Sequence, residues 1–103
     1  MAEYVTVAKI DEIAKGKSKL VQIHGKEISV WRIEDSYFAI DDICTHEEEN
    51  LSNGDIIDTF HICCPRHGAE FDLRNGKALC LPATEPVQIY QVRLTGEEVQ
   101  LLV

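Results

Sequence analysis

The chain has 103 residues, 45% apolar and 27% charged, enough for one globular domain with a core of its own and too few for a second. Eighteen Asp plus Glu stand against ten Lys plus Arg, a formal net charge of -8 that the phosphates of nucleic acid would repel, so a basic protein partner is the better expectation. No run reaches the length of a membrane span, and Met1-Ala2-Glu3-Tyr4 lacks the basic-then-apolar layout of a secretory leader, so a soluble cytoplasmic protein is expected.

Short β-branched and aromatic runs alternate with glycine turns, which predicts an all-β, antiparallel fold. In chain order the expected strands are 5–9, 20–24, 27–34, 37–40, 60–63, 69–72, 87–94 and 99–103. Asp11-Glu12-Ile13-Ala14, with an acid ahead and Gly16 behind, reads as a single helical turn. His24-Gly25-Lys26 and Thr95-Gly96-Glu97 supply glycines for tight reversals, and Asn53-Gly54 and Asn75-Gly76 carry the pair that tolerates positive φ at both central positions of a hairpin. The candidate core is Trp31, Ile33, Phe38, Ile40, Ile57, Phe60, Ile62, Val87, Ile89, Tyr90, Val92 and Leu101.

Four cysteines could form two disulfides, but only in an oxidising compartment, so metal ligation or buried thiols come first. Two compact pairs carry the chemistry: Cys44-Thr45-His46 and Cys64-Pro65-Arg66-His67, each at the end of an expected strand and each offering one thiolate and one imidazole. A tetrahedral zinc site is the chemical rival, yet zinc fingers put two cysteines on one knuckle and two histidines on a helix, whereas here both knuckles are mixed and no helix follows. Cys63, next to Cys64 along a strand, points to the opposite face and is read with Cys80 as a small packing residue. His24 and His61 have no partner at ligand spacing.

These residues resemble the Rieske family, whose signature is Cys-x-His, an interval of this length, then Cys-x-x-His. Gly68 after the second box and Leu81-Pro82-Ala83, similar to the family's proline loop over the cluster, extend the likeness. The resemblance implies an antiparallel β-sandwich spanning residues 1–103, with a cluster-binding subdomain at about 41–83 formed by two hairpin loops. It implies one 2Fe-2S cluster with Cys44, His46, Cys64 and His67 as ligands, the thiolates on one iron and the imidazoles on the other. Two ferric ions, two sulfides and two thiolates sum to zero charge, so an added electron meets less repulsion than in an all-thiolate cluster.

Each iron then holds two sulfides and two protein ligands, which leaves no open position for substrate, and no other catalytic set is visible. Among Rieske proteins the layout is similar to the ferredoxins that serve aromatic-ring-hydroxylating dioxygenases. The resemblance implies a monomeric electron carrier, not an enzyme, between a flavin- or iron-sulfur-containing reductase and a terminal oxygenase. A redox subunit of a nitrite-reductase-like complex is the alternative, and a zinc-stabilised binding module a further one.

High-potential relatives join their two loops by a disulfide and place hydroxyl donors near the cluster. Here the disulfide positions hold Glu49 and Arg66 and the donor positions hold Ala69 and Phe71. A potential of roughly -150 mV rather than +300 mV follows. Each carboxylate of Glu47-Glu48-Glu49 adds only about 20 mV at 10 Å in water-like dielectric, so the run is expected to be a solvated loop, with docking to a basic partner as its other use.

Overall fold

The alternating apolar pattern builds eleven strands among the described residues, which are 3–44, 49–65, 68–80 and 85–103 of a computed structural model. They are β1 (Tyr4–Lys9), β2 (Ser18–Ile23), β3 (Lys26–Ile33), β4 (Ser36–Asp41), β5 (Asp55–Asp58), β6 (His61–Cys63), β7 (Glu70–Asp72), β8 (Ala78–Cys80), β9 (Ile89–Tyr90), β10 (Val92–Thr95) and β11 (Glu98–Leu102). All named strand pairs are antiparallel, in three sheets ordered β1-β11-β10, β2-β3-β4-β9 and β5-β6-β7-β8.

The second sheet is the middle layer, and period-two alternation along β3 and β4 explains why. Ile28, Val30, Tyr37 and Ala39 face one way and pack with Ala8, Val99 and Leu101 of the first sheet. Trp31 and Ile40 face the other way and pack with Ile62, Phe71 and Leu73 of the third-sheet region. Covered on both faces, β3 is buried without interruption from Ile28 to Arg32. The third sheet therefore has an apolar floor from which loops can project.

His24 and Gly25 take φ of 52° and 77° between paired Ile23 and Lys26, the expected two-residue reversal. Other expectations give way. Asp11 adopts φ 73°, incompatible with a helix start, and its carboxylate reaches the Arg32 guanidinium at 3.0 Å, so the expected helical turn is an irregular one. The expected strand 87–94 is two strands in two sheets, because the chain crosses between layers at Gln91. Strands β5 and β8 escape the sequence because they are short edge strands, four and three residues long.

Asn53-Gly54 is no hairpin: Asn53 ends a 3-10 turn at Leu51–Asn53, and Gly54 has φ -89°. Of Asn75-Gly76 only the glycine has positive φ, 78°, while the Asn75 side chain accepts the Lys77 N–H at 2.9 Å. Two core candidates are exposed. Ile57 (49%) sits where the β5–β6 register shifts and turns its side chain out, and Ile89 (38%) lies on an edge strand.

Candidate metal centre

Cys44 follows β4 and Cys64 follows β6, and both side chains are buried, 3% and 2% exposed. They belong to one apolar cluster with Leu51, Ile62, Ala69 and Phe71, so two loops far apart in sequence bring their cysteines into the same core. The loops close alike. The Cys44 N–H donates to the Glu49 carbonyl at 2.9 Å, and the Cys64 N–H donates to the Ala69 carbonyl at 2.6 Å, each five residues ahead. Gly68, with φ 74°, supplies the left-handed backbone that lets the second loop turn back, and its N–H reaches the Cys64 carbonyl at 3.3 Å.

His46 and His67 lie outside the described residues, as do Glu47, Glu48, Arg66 and Leu81-Pro82-Ala83. Each histidine falls in sequence inside one of the two closed turns. Two buried thiols on matched loops, each with an imidazole two or three residues on, fit a mixed-ligand cluster. Cys44 forms no disulfide. Cys63 does not compete for this role. It is half-buried on the outer side of β6, outside the apolar cluster that holds Cys44 and Cys64; burial, then Glu70, Cys80 and Asp55, push its thiol pKa up. Cys63 and Cys80 instead point their sulfurs at the Cys64 and Gly68 carbonyls, at 3.6 and 3.5 Å. They brace the second loop from outside rather than packing as core residues.

The first loop is held by residues the sequence did not single out. Ile43 pairs with Asn50 in an isolated antiparallel bridge, and the Leu51 N–H donates to the Asp42 carbonyl at 2.6 Å. The fully buried Asp42 carboxylate accepts the Ser52 N–H at 2.7 Å, the Ser52 hydroxyl at 3.0 Å and the Asn50 side-chain amide at 2.5 Å. Glu49, one end of the expected acidic run, is half-buried, and its carboxylate accepts the Asn50 N–H at 2.9 Å and the Asn53 side-chain amide at 3.5 Å. The two loop regions meet where Gly54 passes the backbone of Cys63, and Asp55 pairs with Cys63. Packing and these hydrogen bonds stand where a loop disulfide would otherwise be. Only Asp42's place in an Asp-Asp pair just before the first box could have flagged it.

At the far end of the same sheet, Asp72 is gripped by Arg74 through Nε at 3.1 Å and Nη2 at 2.8 Å, and Arg74 stacks over Phe60. The Arg74 hydrogen bonds hold the Asp72 carboxyl below the usual carboxylate range. His61 lies 3.7 Å from both Asp58 and Asp72, a strand-face histidine as expected.

No helix among the described residues is long and apolar enough to cross a membrane. The Rieske [2Fe-2S] domain model matches residues 3–91. The chain is 35% identical, over 95% of its length and 93% of the relative's, to the ferredoxin component of the naphthalene 1,2-dioxygenase/salicylate 5-hydroxylase systems of Ralstonia sp.. It superposes with TM-score 0.91 and 34% identity on the ferredoxin of carbazole 1,9a-dioxygenase from Nocardioides aromaticivorans IC177, covering 95% of each chain. A chain in the complex of reduced oxygenase and oxidized ferredoxin of carbazole 1,9a-dioxygenase matches with TM-score 0.90 and 29% identity, covering 96% of this chain and 92% of that one. The family carries a 2Fe-2S cluster, which sets the zinc alternative aside. The two buried cysteines on matched loops and the match over residues 3–91 together make this chain a member of the Rieske [2Fe-2S] domain family.

Proposed function

We propose that this chain is a one-electron carrier, the ferredoxin component of an aromatic-ring-hydroxylating dioxygenase system. It works in the cytoplasm as a monomer, taking electrons from a flavin- or iron-sulfur-containing reductase and passing them to a terminal oxygenase. The proposed ligands are the thiolates of Cys44 and Cys64 and the imidazoles of His46 and His67. When bound, the cluster supplies a single electron-accepting centre with no open coordination position, so the chain has no substrate chemistry of its own.

The observation that carries this reading is the convergence of Cys44 and Cys64, at 3% and 2% exposure, in one apolar cluster on loops closed by the same hydrogen bond. Leu51, Ile62 and Phe71, all fully buried there, exclude water from the thiolate side. Ala69 and Phe71 offer no hydroxyl to the cluster or its sulfurs, which supports a low potential suited to electrons arriving from a reductase. The relatives named as ferredoxin components support the partners.

Reconstitution tests the reading. The purified protein should restore NAD(P)H-driven turnover when added to a separable reductase and terminal oxygenase, with its cluster reduced and reoxidised in the process. A protein that co-purifies in a fixed complex and supports no transfer between separate components would instead favour the redox-subunit alternative.

A further inference from the structure

Among the described residues two carboxylates are buried, Asp72 and Asp42. Asp72 is matched by the Arg74 guanidinium. Asp42 is held by a main-chain N–H, a hydroxyl and a side-chain amide, all electrically neutral. Taking a carboxylate out of water is costly, and neutral donors recover that cost only when they saturate its oxygens. Here three donors meet two oxygens, and all three come from Asn50 and Ser52, where the chain rejoins the base of the first loop.

The main chain of Asp42 is fixed as firmly. Its N–H donates to the Glu27 carbonyl at 2.9 Å and its carbonyl accepts the Leu51 N–H at 2.6 Å. Asp42 thus ties three segments together: β3 at Glu27, the departure towards Cys44, and the return at Asn50 to Ser52. Two residues further on is Cys44, with its own N–H bound to Glu49.

We propose that Asp42 is a positioning residue of the iron-sulfur site: its carboxylate locks the two ends of the loop that begins at Cys44, and its buried negative charge lowers the reduction potential. A fixed negative charge in a medium of effective dielectric about 20 opposes the arrival of an electron and shifts the reduction equilibrium by up to about tenfold. The inference rests on the proposed assignment of Cys44 as a ligand.

The test is the midpoint potential of the purified, cluster-loaded protein and of two variants, with the visible circular dichroism of the cluster as a second readout. Asp42→Asn keeps the shape and removes the charge; it should raise the potential by about tenfold in the reduction equilibrium constant, which is about 59 mV for one electron. Ser52→Ala keeps the charge and removes a donor that partly neutralises it; it should shift the potential the other way, by about twofold. Asp42→Asn with potential and dichroism at wild-type values overturns the proposal. Should Asp42→Asn take up no cluster, Ser52→Ala decides: a downward shift supports the proposal and an unchanged or raised potential overturns it. Wild-type protein without a Rieske spectrum would contradict the ligand assignment instead, so the two failures are distinct.

Discussion

A β-carbon on Gly54 would lie 2.0 Å from the carbonyl oxygen of Cys63 and 3.1 Å from its carbonyl carbon. The neighbour is backbone, one residue before Cys64, and cannot rotate away. Glycine is required here by close approach and not by its dihedral angles, since Gly54 has φ -89°. The return of the first loop region and the start of the second are therefore in contact without a disulfide.

Gly54→Ala is expected to destabilise the fold by about 3 kcal/mol, because overpacking against backbone has to be relieved by moving a strand. Gly68→Ala is the control. A β-carbon there meets nothing within 4 Å, but φ is 74°, so the cost is about 1–2 kcal/mol of backbone strain alone. Urea unfolding of both variants, followed by fluorescence of Trp31 and by cluster absorbance, checks the order. Equal losses would contradict the close-approach argument.

Phe71 is fully buried in the cluster of residues around Cys44 and Cys64. Phe71→Tyr restores the hydroxyl that high-potential relatives place at this position. One new hydrogen bond to a sulfur in the reduced state should raise the midpoint potential by about 60 mV, equivalent to about 1.4 kcal/mol. Direct electrochemistry of the variant checks it, and a potential at the wild-type value would show that the missing hydroxyl does not set the potential.

Asp72 gives a pH signature. Its carboxyl is held down by Arg74, so the folded state prefers the ionised form more strongly than the unfolded state does. The stabilisation is complete above the ordinary carboxylate pKa of about 3.9 and is lost as the pH falls through the lower folded value. Arg74→Gln should be less stable than wild type at pH 7, and the gap should narrow in strongly acidic solution. Urea midpoints at pH 7 and below pH 4 measure it; a constant gap would mean that Arg74 acts through its packing on Phe60.

Glu49 tests the acidic run. Both of its hydrogen bonds, from Asn50 and Asn53, end on Oε1, an acceptor that glutamine keeps, so Glu49→Gln is expected to change stability by less than about 1 kcal/mol and to leave the salt dependence of electron transfer from the reductase unchanged. Stopped-flow reduction across a salt series checks the second part. A flatter salt dependence in the variant would assign Glu49 to docking.

What was legible in the sequence was local. Cys44 and Cys64 each follow a strand run that the sequence shows directly, and the His24-Gly25 reversal depends on two adjacent residues. What was illegible depends on partners brought together by folding. Asp42 finds Asn50 and Ser52 only after the loop closes, and Gly54 meets Cys63 across strands. The crossing at Gln91 is hidden because Ile89-Tyr90 and Val92 are good strand formers in either sheet. Glu49, the one described residue of the acidic run, stays partly exposed while its carboxylate answers to two donors of its own loop, a local contact that the charge pattern alone does not reveal.

The low-temperature electron paramagnetic resonance spectrum of the dithionite-reduced protein, with iron and sulfide determined on the same sample, decides whether Cys44 and Cys64 hold a Rieske cluster. One mixed-ligand Rieske signal per chain, with two irons and two sulfides, is expected, abolished in Cys44→Ser and Cys64→Ser. A colourless, zinc-loaded protein, or a signal of an all-thiolate cluster that recruits Cys63 or Cys80, would contradict it.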